Sequence, residues 1–167
     1  SIDALSSDQL WQDCQDTIKR SIGLFEQAGY DLEVEDYHFT ILLGNPEKPM
    51  LQLNKGYSGD GGIPGYLMLS LLPNDYTLPR VQAALAHECN HNVRFQFVKW
   101  NQQTTLADWV VSEGLAESFA AELYGKELIG PWVTSTSPEQ LEKIKPIISS
   151  QLQLTGMAEM APYLYGD

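Results

Sequence analysis

The apolar positions near the start of the chain predict an amphipathic helix over residues 7–28. Five apolar residues recur there at steps of three and four, which is the spacing of one buried helix face: Leu10, Cys14, Ile18, Ile22 and Phe25. Ser7 is a suitable N-cap residue for this helix, and Gly29 is a suitable stop. We therefore expect the first helix to pack one face against a hydrophobic core.

The segments that follow have the patterns of strands and turns. A strand is predicted over 37–43, which is rich in β-branched and aromatic residues, and another over 50–54, where apolar and polar residues alternate. The apolar run 66–72 predicts a third strand. Residues 56–65, GYSGDGGIPG, lack the spacing and the lysine of a phosphate-binding loop, so we expect a flexible loop that borders a cleft.

Helical periodicity returns in the second half of the chain. Helices are predicted over about 79–98, 106–128 and 137–152, the last with Ser137 as its cap and Pro138 as its first residue. The order of one helix, several strands and then helices predicts an α+β fold. The length predicts a single domain over residues 1–167.

Composition and charge narrow the classes of function. The formal net charge of −12 argues against nucleic acid as a partner, because phosphates need a basic surface. No apolar run reaches the roughly 18 residues of a membrane-spanning helix, so no membrane span is predicted. Cys14 and Cys89 are too few for a disulfide framework, which leads us to expect a reduced, cytoplasmic protein.

The stretch HECNH, which begins at His87, is the strongest chemical signal in the chain. His87 and His91 are four residues apart, so on a helix they face the same side and can bind one Zn²⁺ together. Glu88 is rotated by about 100° around the axis and can reach a water on the metal without binding the metal itself. The far side of this helix carries an apolar row that we expect to be core: Val81, Leu85 and Cys89.

The next predicted helix offers a further ligand. A catalytic zinc site normally has three protein ligands and one position open to water. Glu113 and Glu117 share one face of this helix, and we expect Glu113 to complete the zinc shell while Glu117 accepts a hydrogen bond from His87. Gly114 is expected to allow a close approach of the two helices. The other side carries apolar residues that we expect to pack: Val111, Leu115, Phe119 and Leu123.

The stretches HECNH and EGLAE resemble the gluzincin group of zinc metallopeptidases. More closely, HECNHNVR with LADWVVSEGLAESFA resembles a bacterial family of predicted zinc-dependent proteases, DUF2268. The resemblance implies that His87, His91 and Glu113 bind zinc and that Glu88 is the catalytic base. It implies a thermolysin-like catalytic core, in which a small mixed or antiparallel sheet packs against zincin-type active-site helices. It also implies a further helical segment after this chain, so we expect the zincin-like domain 1–167 to be truncated at its C-terminus.

These patterns together predict a zinc-dependent metallopeptidase acting on a peptide or protein substrate. Two alternatives remain open: a non-catalytic zinc-binding regulatory module, and a zinc hydrolase that acts on non-peptide substrates. The simplest alternative is a solvated helix face whose histidines only hydrogen-bond to carboxylates. It does not explain polar pairs at four-residue spacing on two consecutive helices.

The substrate contacts are open as well. Strand 66–72 lies directly before the metal-binding helix in sequence, so it is our candidate for pairing with a substrate backbone. An oxyanion-stabilising donor is also needed, and the sequence does not choose among several candidates. These are Tyr57, Tyr66 and Tyr124, together with His38, which is more simply explained as a histidine at a strand end.

Overall fold

The computed structural model describes residues 2–165 as helices arranged around a small sheet. The α-helices are α1 (Asp8–Gln27), α2 (Pro49–Leu53), α3 (Val81–Phe97), α4 (Leu106–Tyr124), α5 (Pro131–Thr134), α6 (Pro138–Ser149) and α7 (Met157–Tyr165). The strands are β1 (His38–Leu43), β2 (Tyr57–Ile63) and β3 (Tyr66–Leu71). Short 3₁₀ helices cover Ile2–Ser6, Leu78–Arg80 and Lys126–Leu128.

The three strands form a mixed sheet in the order β1-β3-β2. β1 pairs with β3 in parallel, and β2 pairs with β3 in antiparallel orientation. β3 is therefore the central strand of this sheet, and β1 and β2 are its edges. The prediction of an α+β fold with a small mixed sheet is confirmed.

Two predictions for the first half of the chain are wrong. A strand is predicted over 50–54, but residues 50–53 lie in α2, which starts at Pro49, where a helix needs no N–H donor, and Asn54 is the C-cap of this helix. The alternating pattern is misleading here because Leu51 is buried while Leu53 is exposed to solvent. Residues 56–65, expected as a loop, contain strand β2. The reason is the packing of β2 against α3, described below.

The hydrophobic core lies between the inner face of the sheet and helices α1 and α3. β3 contributes Leu67, Leu69 and Leu71, which alternate with exposed positions as in a strand with one buried face. The helices contribute Cys14, Ile18 and Ile22 from α1, and Val81, Leu85, Cys89 and Val93 from α3. The apolar faces predicted for both helices are confirmed, and both cysteines are buried and free.

Helix α4 packs against α3 and is fixed at its start. Thr105 and Asp108 form a capping box, in which each side chain accepts a hydrogen bond from the other residue's N–H group. The first two N–H groups of the helix donate to carbonyls of Leu154 and Leu152. The chain before α7 therefore also holds this end of α4.

The packing of α4 differs in part from the prediction. Phe119 and Leu123 are partly buried, as expected, but Val111 and Leu115 are exposed. Apart from Leu106 at its start, the residues that α4 buries most fully are small or polar, which allows the helix to lie close to its neighbour: Ser112, Ala116, Glu117 and Ala120.

The helix ends and caps in the second half are set by local chemistry. α4 ends at Tyr124 rather than near residue 128, because Gly125 adopts a φ of 98° and leaves the helical region. Ser137 caps α6 as predicted. Within residues 2–165, no helix is both long enough and apolar enough to cross a membrane.

The core packing predicts a clear difference in stability between two leucine substitutions. Leu85→Ala, at a fully buried position of α3, should lower the free energy of unfolding by about 2–5 kcal/mol because it leaves a cavity. Leu53→Ala, at an exposed position of α2, should change it by less than about 0.5 kcal/mol. Urea unfolding followed by circular dichroism measures both values. Equal effects of the two substitutions would contradict this core.

Candidate metal centre

Helix α3 places His87 and His91 one turn apart, on the side that faces α4. Their Nε2 atoms lie 3.0 Å from each other, and both side chains are buried. The two rings therefore converge on one point.

Glu113 of α4 brings a carboxylate to that point. One of its oxygens lies 3.3 Å from His87 Nε2, and the other lies 3.3 Å from His91 Nε2. The ligand atoms of these three residues lie within 4.8 Å of one another, so the group could hold a metal ion. Tetrahedral Zn²⁺ with bonds of about 2.0–2.1 Å separates its ligand atoms by about 3.3 Å. The donor set and its spacing therefore fit zinc.

The Nδ1 atoms of both histidine rings make hydrogen bonds that orient the imidazoles. His87 Nδ1 lies 3.0 Å from Glu117 Oε2, and His91 Nδ1 lies 3.1 Å from Ser112 Oγ. Because an ionised carboxylate can only accept, His87 donates from Nδ1 and directs Nε2 towards Glu113. Contacts of this kind fix the tautomer and the orientation of metal-binding histidines.

Glu117 is itself held by the segment that follows α4. Its carboxylate accepts hydrogen bonds from the backbone N–H of Gly130 and from the indole Nε1 of Trp132, in addition to His87. Burial alone raises the pKa of Glu117, but these donors outweigh burial and lower the pKa below its ordinary value. Glu117 therefore stays ionised and holds the ring of His87 in one orientation.

The charges of the centre complement one another. Burial raises the pKa of Glu113, but the contacts with His87 and His91 outweigh it, so the pKa is well below the ordinary value. For His87, burial lowers the pKa, and the contacts with Glu113 and Glu117 outweigh burial and raise it. The carboxylates thus favour a positive charge at this point. A metal ion that binds there would displace a proton from His87.

Glu88 lies on the same helix but faces strand β2 rather than α4. A methyl group on Gly59 would overlap the Glu88 carboxylate, and one on Gly61 would overlap the Glu88 carbonyl oxygen. β2 can therefore lie directly on α3 only because both positions are glycine. This contact explains why a glycine-rich segment forms a strand here. Burial raises the pKa of the Glu88 carboxyl group.

Two expectations about the surroundings of the centre are wrong. A methyl group on Gly114 would meet nothing within 4 Å, so this glycine does not mark a close contact between α3 and α4. Strand 66–72 corresponds to β3, which is paired on both sides and has no free edge for a substrate. The close contact belongs to β2, which is also one of the two edge strands of the sheet.

The candidate oxyanion donors lie in different parts of the fold. Tyr66 and His38 stack on each other at a centroid distance of 5.4 Å, on the exposed side of the sheet. The hydroxyl of Tyr124 lies 2.7 Å from Thr17 Oγ1 of α1. Tyr57 is buried and lines a small cavity beside the metal centre. Of these four candidates, Tyr57 is the one that lines this cavity together with His87.

Several residues that support the centre were missed from the sequence: Gly59, Gly61, Asn92, Ser112, Gly130 and Trp132. The sequence contains two signals for these residues. Gly59 and Gly61 are two residues apart, which is the period of a strand, and Asn92 follows Glu88 by four residues, which places both on one face of a helix. The contacts of Gly130 and Trp132 with Glu117 depend on the turn after α4 and leave no local pattern. Tyr165 of α7 was missed as well, and its pKa is raised by burial and by the charge of Glu113.

The fold and the convergent ligand groups define an α+β protein with a candidate metal-binding centre between two helices. The chain matches the family described as "Predicted Zn-dependent protease (DUF2268)" over residues 10–167, and it belongs to that family. The resemblance seen in the sequence is therefore confirmed at the level of the family.

Two relatives come from Bacillus subtilis (strain 168). The chain is 36% identical to "Uncharacterized protein YjfC" over 168 residues, which cover 100% of this chain and 56% of that protein. It is 33% identical to "Uncharacterized protein YjaZ" over 78 residues, which cover 46% of this chain and 30% of that protein. The chain thus spans about half the length of YjfC. No solved structure matches it.

The centre predicts that zinc binding depends on His87 and not on His38. His87→Ala removes one of three ligand groups, so the variant should lose its bound zinc during gel filtration. His38→Ala changes a histidine on the exposed side of the sheet and should retain one zinc per chain. Elemental analysis of the eluted protein measures zinc content. Full zinc occupancy in His87→Ala would refute this ligand set.

Proposed function

We propose that this protein is a zinc-dependent metallopeptidase of the gluzincin type, with His87, His91 and Glu113 as zinc ligands. The observation that carries the proposal is the convergence of these three groups, with the buried carboxylate of Glu88 close enough to interact electrostatically with all three. Membership of a family described as predicted zinc-dependent proteases supports the same class. The proposal includes a zincin-type core built from α3, α4 and the sheet.

The number of ligand groups supports a catalytic role. Structural zinc sites usually have four protein ligands, whereas catalytic sites have three and keep one position open. In the part of the chain that the structure describes, the group consists of three residues. The side chain of Glu113 is 44% exposed, so the centre is accessible from solvent. Both features favour a peptidase over a non-catalytic zinc-binding module.

The chemistry divides between the metal and the side chains around it. Zinc at this centre supplies Lewis acidity, which lowers the pKa of water and polarises a carbonyl group. Glu88 acts as the general base: its carboxylate takes a proton from the attacking water and passes it to the nitrogen of the leaving amine. Glu117 and Ser112 keep the two imidazoles in the orientation that binding requires.

Strand β2 is the surface that we assign to the peptide substrate. Leu72 N–H donates to the carbonyl of Gly56, and hydrogen-bonded pairs alternate along an antiparallel ladder. The backbone groups of Gly59 therefore point away from β3, towards the free edge. Gly59 is exposed and lies against Glu88. An extended peptide that adds to this edge would have its backbone beside the general base.

This edge also favours a peptide over a non-peptide substrate. The N–H and C=O groups of an edge strand recognise another extended backbone in a repeating pattern, which a small ester or amide does not offer. The assignment replaces β3, which was the candidate from sequence, with β2.

Replacing Glu88 with glutamine should separate catalysis from metal binding. Glu88→Gln keeps the size of the side chain but removes the proton acceptor, so kcat should fall by about 100-fold or more. Zinc content should equal that of the unmodified protein, because Glu88 is outside the proposed ligand set. A fluorogenic peptide library, assayed with and without a chelator, measures the activity.

The matched control is Glu122→Gln, which changes an exposed carboxylate of α4 and should leave activity intact. Undiminished turnover in Glu88→Gln would remove Glu88 from the mechanism. If the zinc-loaded protein cleaved no member of a broad library, the proposed function itself would be wrong.

Two glycine substitutions on β2 test its contact with Glu88. Gly59→Ala introduces a methyl group that overlaps the Glu88 carboxylate, so we expect activity to fall by about 10-fold or more while zinc is retained. Gly62→Ala is the control, because a methyl group there would meet the flexible side chain of Asp60 at 3.1 Å. The ratio of kcat/KM for the two variants is the measurement. Equal activities would contradict the contact.

A further inference from the structure

Helix α3 carries a second pair of polar residues at four-residue spacing, Glu88 and Asn92. This pair faces β2 and β3, whereas His87 and His91 face α4. Asn92 is fully buried, with an exposed fraction of 0%. A buried amide is costly unless it makes hydrogen bonds, so its partners indicate why the position is polar.

The side chain of Asn92 binds the turn that joins β2 to β3. Its Nδ2 group donates to the carbonyls of Gly61, Ile63 and Tyr66, at 3.1, 2.7 and 2.9 Å. Its Oδ1 atom accepts from the N–H of Gly65 at 2.8 Å. One side chain of α3 therefore contacts four backbone groups of the hairpin, with the two hydrogens of its amide nitrogen shared among three carbonyls.

The hairpin needs these bonds because its own ladder is interrupted. The register between β2 and β3 shifts between Asp60 and Ile63. Backbone groups at such an irregularity lose their regular partners on the neighbouring strand. Asn92 supplies donors to the carbonyls on both sides of the turn. The end of β2 nearest the turn is therefore held by α3 as well as by β3.

We propose that Asn92 is a positioning residue, which fixes the position of the edge strand β2 relative to the metal centre. The inference rests on the proposed function, in which β2 binds the peptide substrate. Glu88 contacts Gly59, and Asn92, one turn later, binds Gly61 and the turn beyond it. The helix that carries the histidines thus also sets the distance between a peptide on β2 and the general base. Rates are sensitive to errors of about 1 Å in such distances.

Asn92→Asp is the sharpest test of this role. The substitution keeps the shape of the side chain and its acceptor for Gly65, but it turns a second oxygen towards three carbonyls. The hairpin should then move away from α3. Activity on a long peptide, which pairs with β2, should fall by about 10-fold or more relative to activity on an acylated dipeptide that spans only the scissile bond.

The ratio of long-peptide to dipeptide activity separates an effect on the position of β2 from an effect on the stability of the protein. Partial unfolding lowers the fraction of active protein, and this reduces kcat/KM for both substrates by the same factor. A shift of β2 reduces kcat/KM for the long peptide more. Zinc content, measured in parallel, should match the unmodified protein, because the proposed ligand residues are unchanged.

Gln96→Ala provides a matched control from the same helix. Gln96 accepts from the N–H groups of Glu33 and Val34 and donates to the hydroxyl of Tyr37, so it also fixes a loop to α3. That loop is not part of β2. The control should therefore leave the ratio of long-peptide to dipeptide activity unchanged, even where stability decreases.

The outcomes distinguish this inference from the proposed function. An unchanged ratio in Asn92→Asp, with hydrolysis otherwise present, would overturn the positioning role alone. Absence of peptide hydrolysis in the unmodified zinc-loaded protein would refute the proposed function and this role with it. If Asn92→Asp does not fold, Asn92→Ser, which keeps one hydroxyl donor, is measured in its place. Failure of both variants to fold would show a requirement of the whole fold and overturn the specific role.

Discussion

The arrangement of the centre depends on a single helix, α3, which has three faces that meet different parts of the fold. A helix repeats every 3.6 residues or so, and side chains four positions apart therefore stay aligned on one face. One face is apolar and packs in the core, through Val81, Leu85, Cys89 and Val93. Of the two polar rows, the histidines meet Glu113 of α4, and Glu88 and Asn92 meet β2. The position of α3 thus decides both the metal centre and the strand beside it.

The polar side chains of the centre are buried next to a hydrophobic core, so each of them needs a hydrogen-bond or charge partner. The imidazole of His87 lies between two carboxylates, Glu113 and Glu117. Removing one partner from such a buried set leaves an uncompensated charge, which is strongly destabilising. The second carboxylate is in turn held by Gly130 and Trp132. The centre is therefore also supported by the segment that follows α4.

The sequence was informative where the determining interactions are local. The four-residue spacing of His87 with His91 and of Glu113 with Glu117 is a property of each helix by itself, and it correctly indicated which side chains would share a face. Strand β2 could not be identified in this way. Its glycines suggest a loop by local propensity, but the segment pairs with β3 as a strand and packs against α3, which lies too close for any side chain at Gly59 or Gly61. That contact joins segments distant in sequence.

The difference between local and long-range interactions also explains the wrong predictions for residues 50–54 and for strand 66–72. The short segment at Leu51 alternates like a strand, but Pro49 starts a helix and one buried leucine is enough to anchor it. The prediction that strand 66–72 pairs with a substrate rests on its position directly before the metal-binding helix in sequence. The order of strands in the sheet depends on pairing with β1, which the local pattern does not encode.

The most direct measurement is the position of zinc in crystals of the protein grown with the metal, located by anomalous scattering at the zinc absorption edge. The account predicts one zinc ion bonded to Nε2 of His87, Nε2 of His91 and a carboxylate oxygen of Glu113, at about 2.0–2.2 Å each. A zinc ion bound elsewhere, or these three groups too far apart to share one ion, would contradict the account.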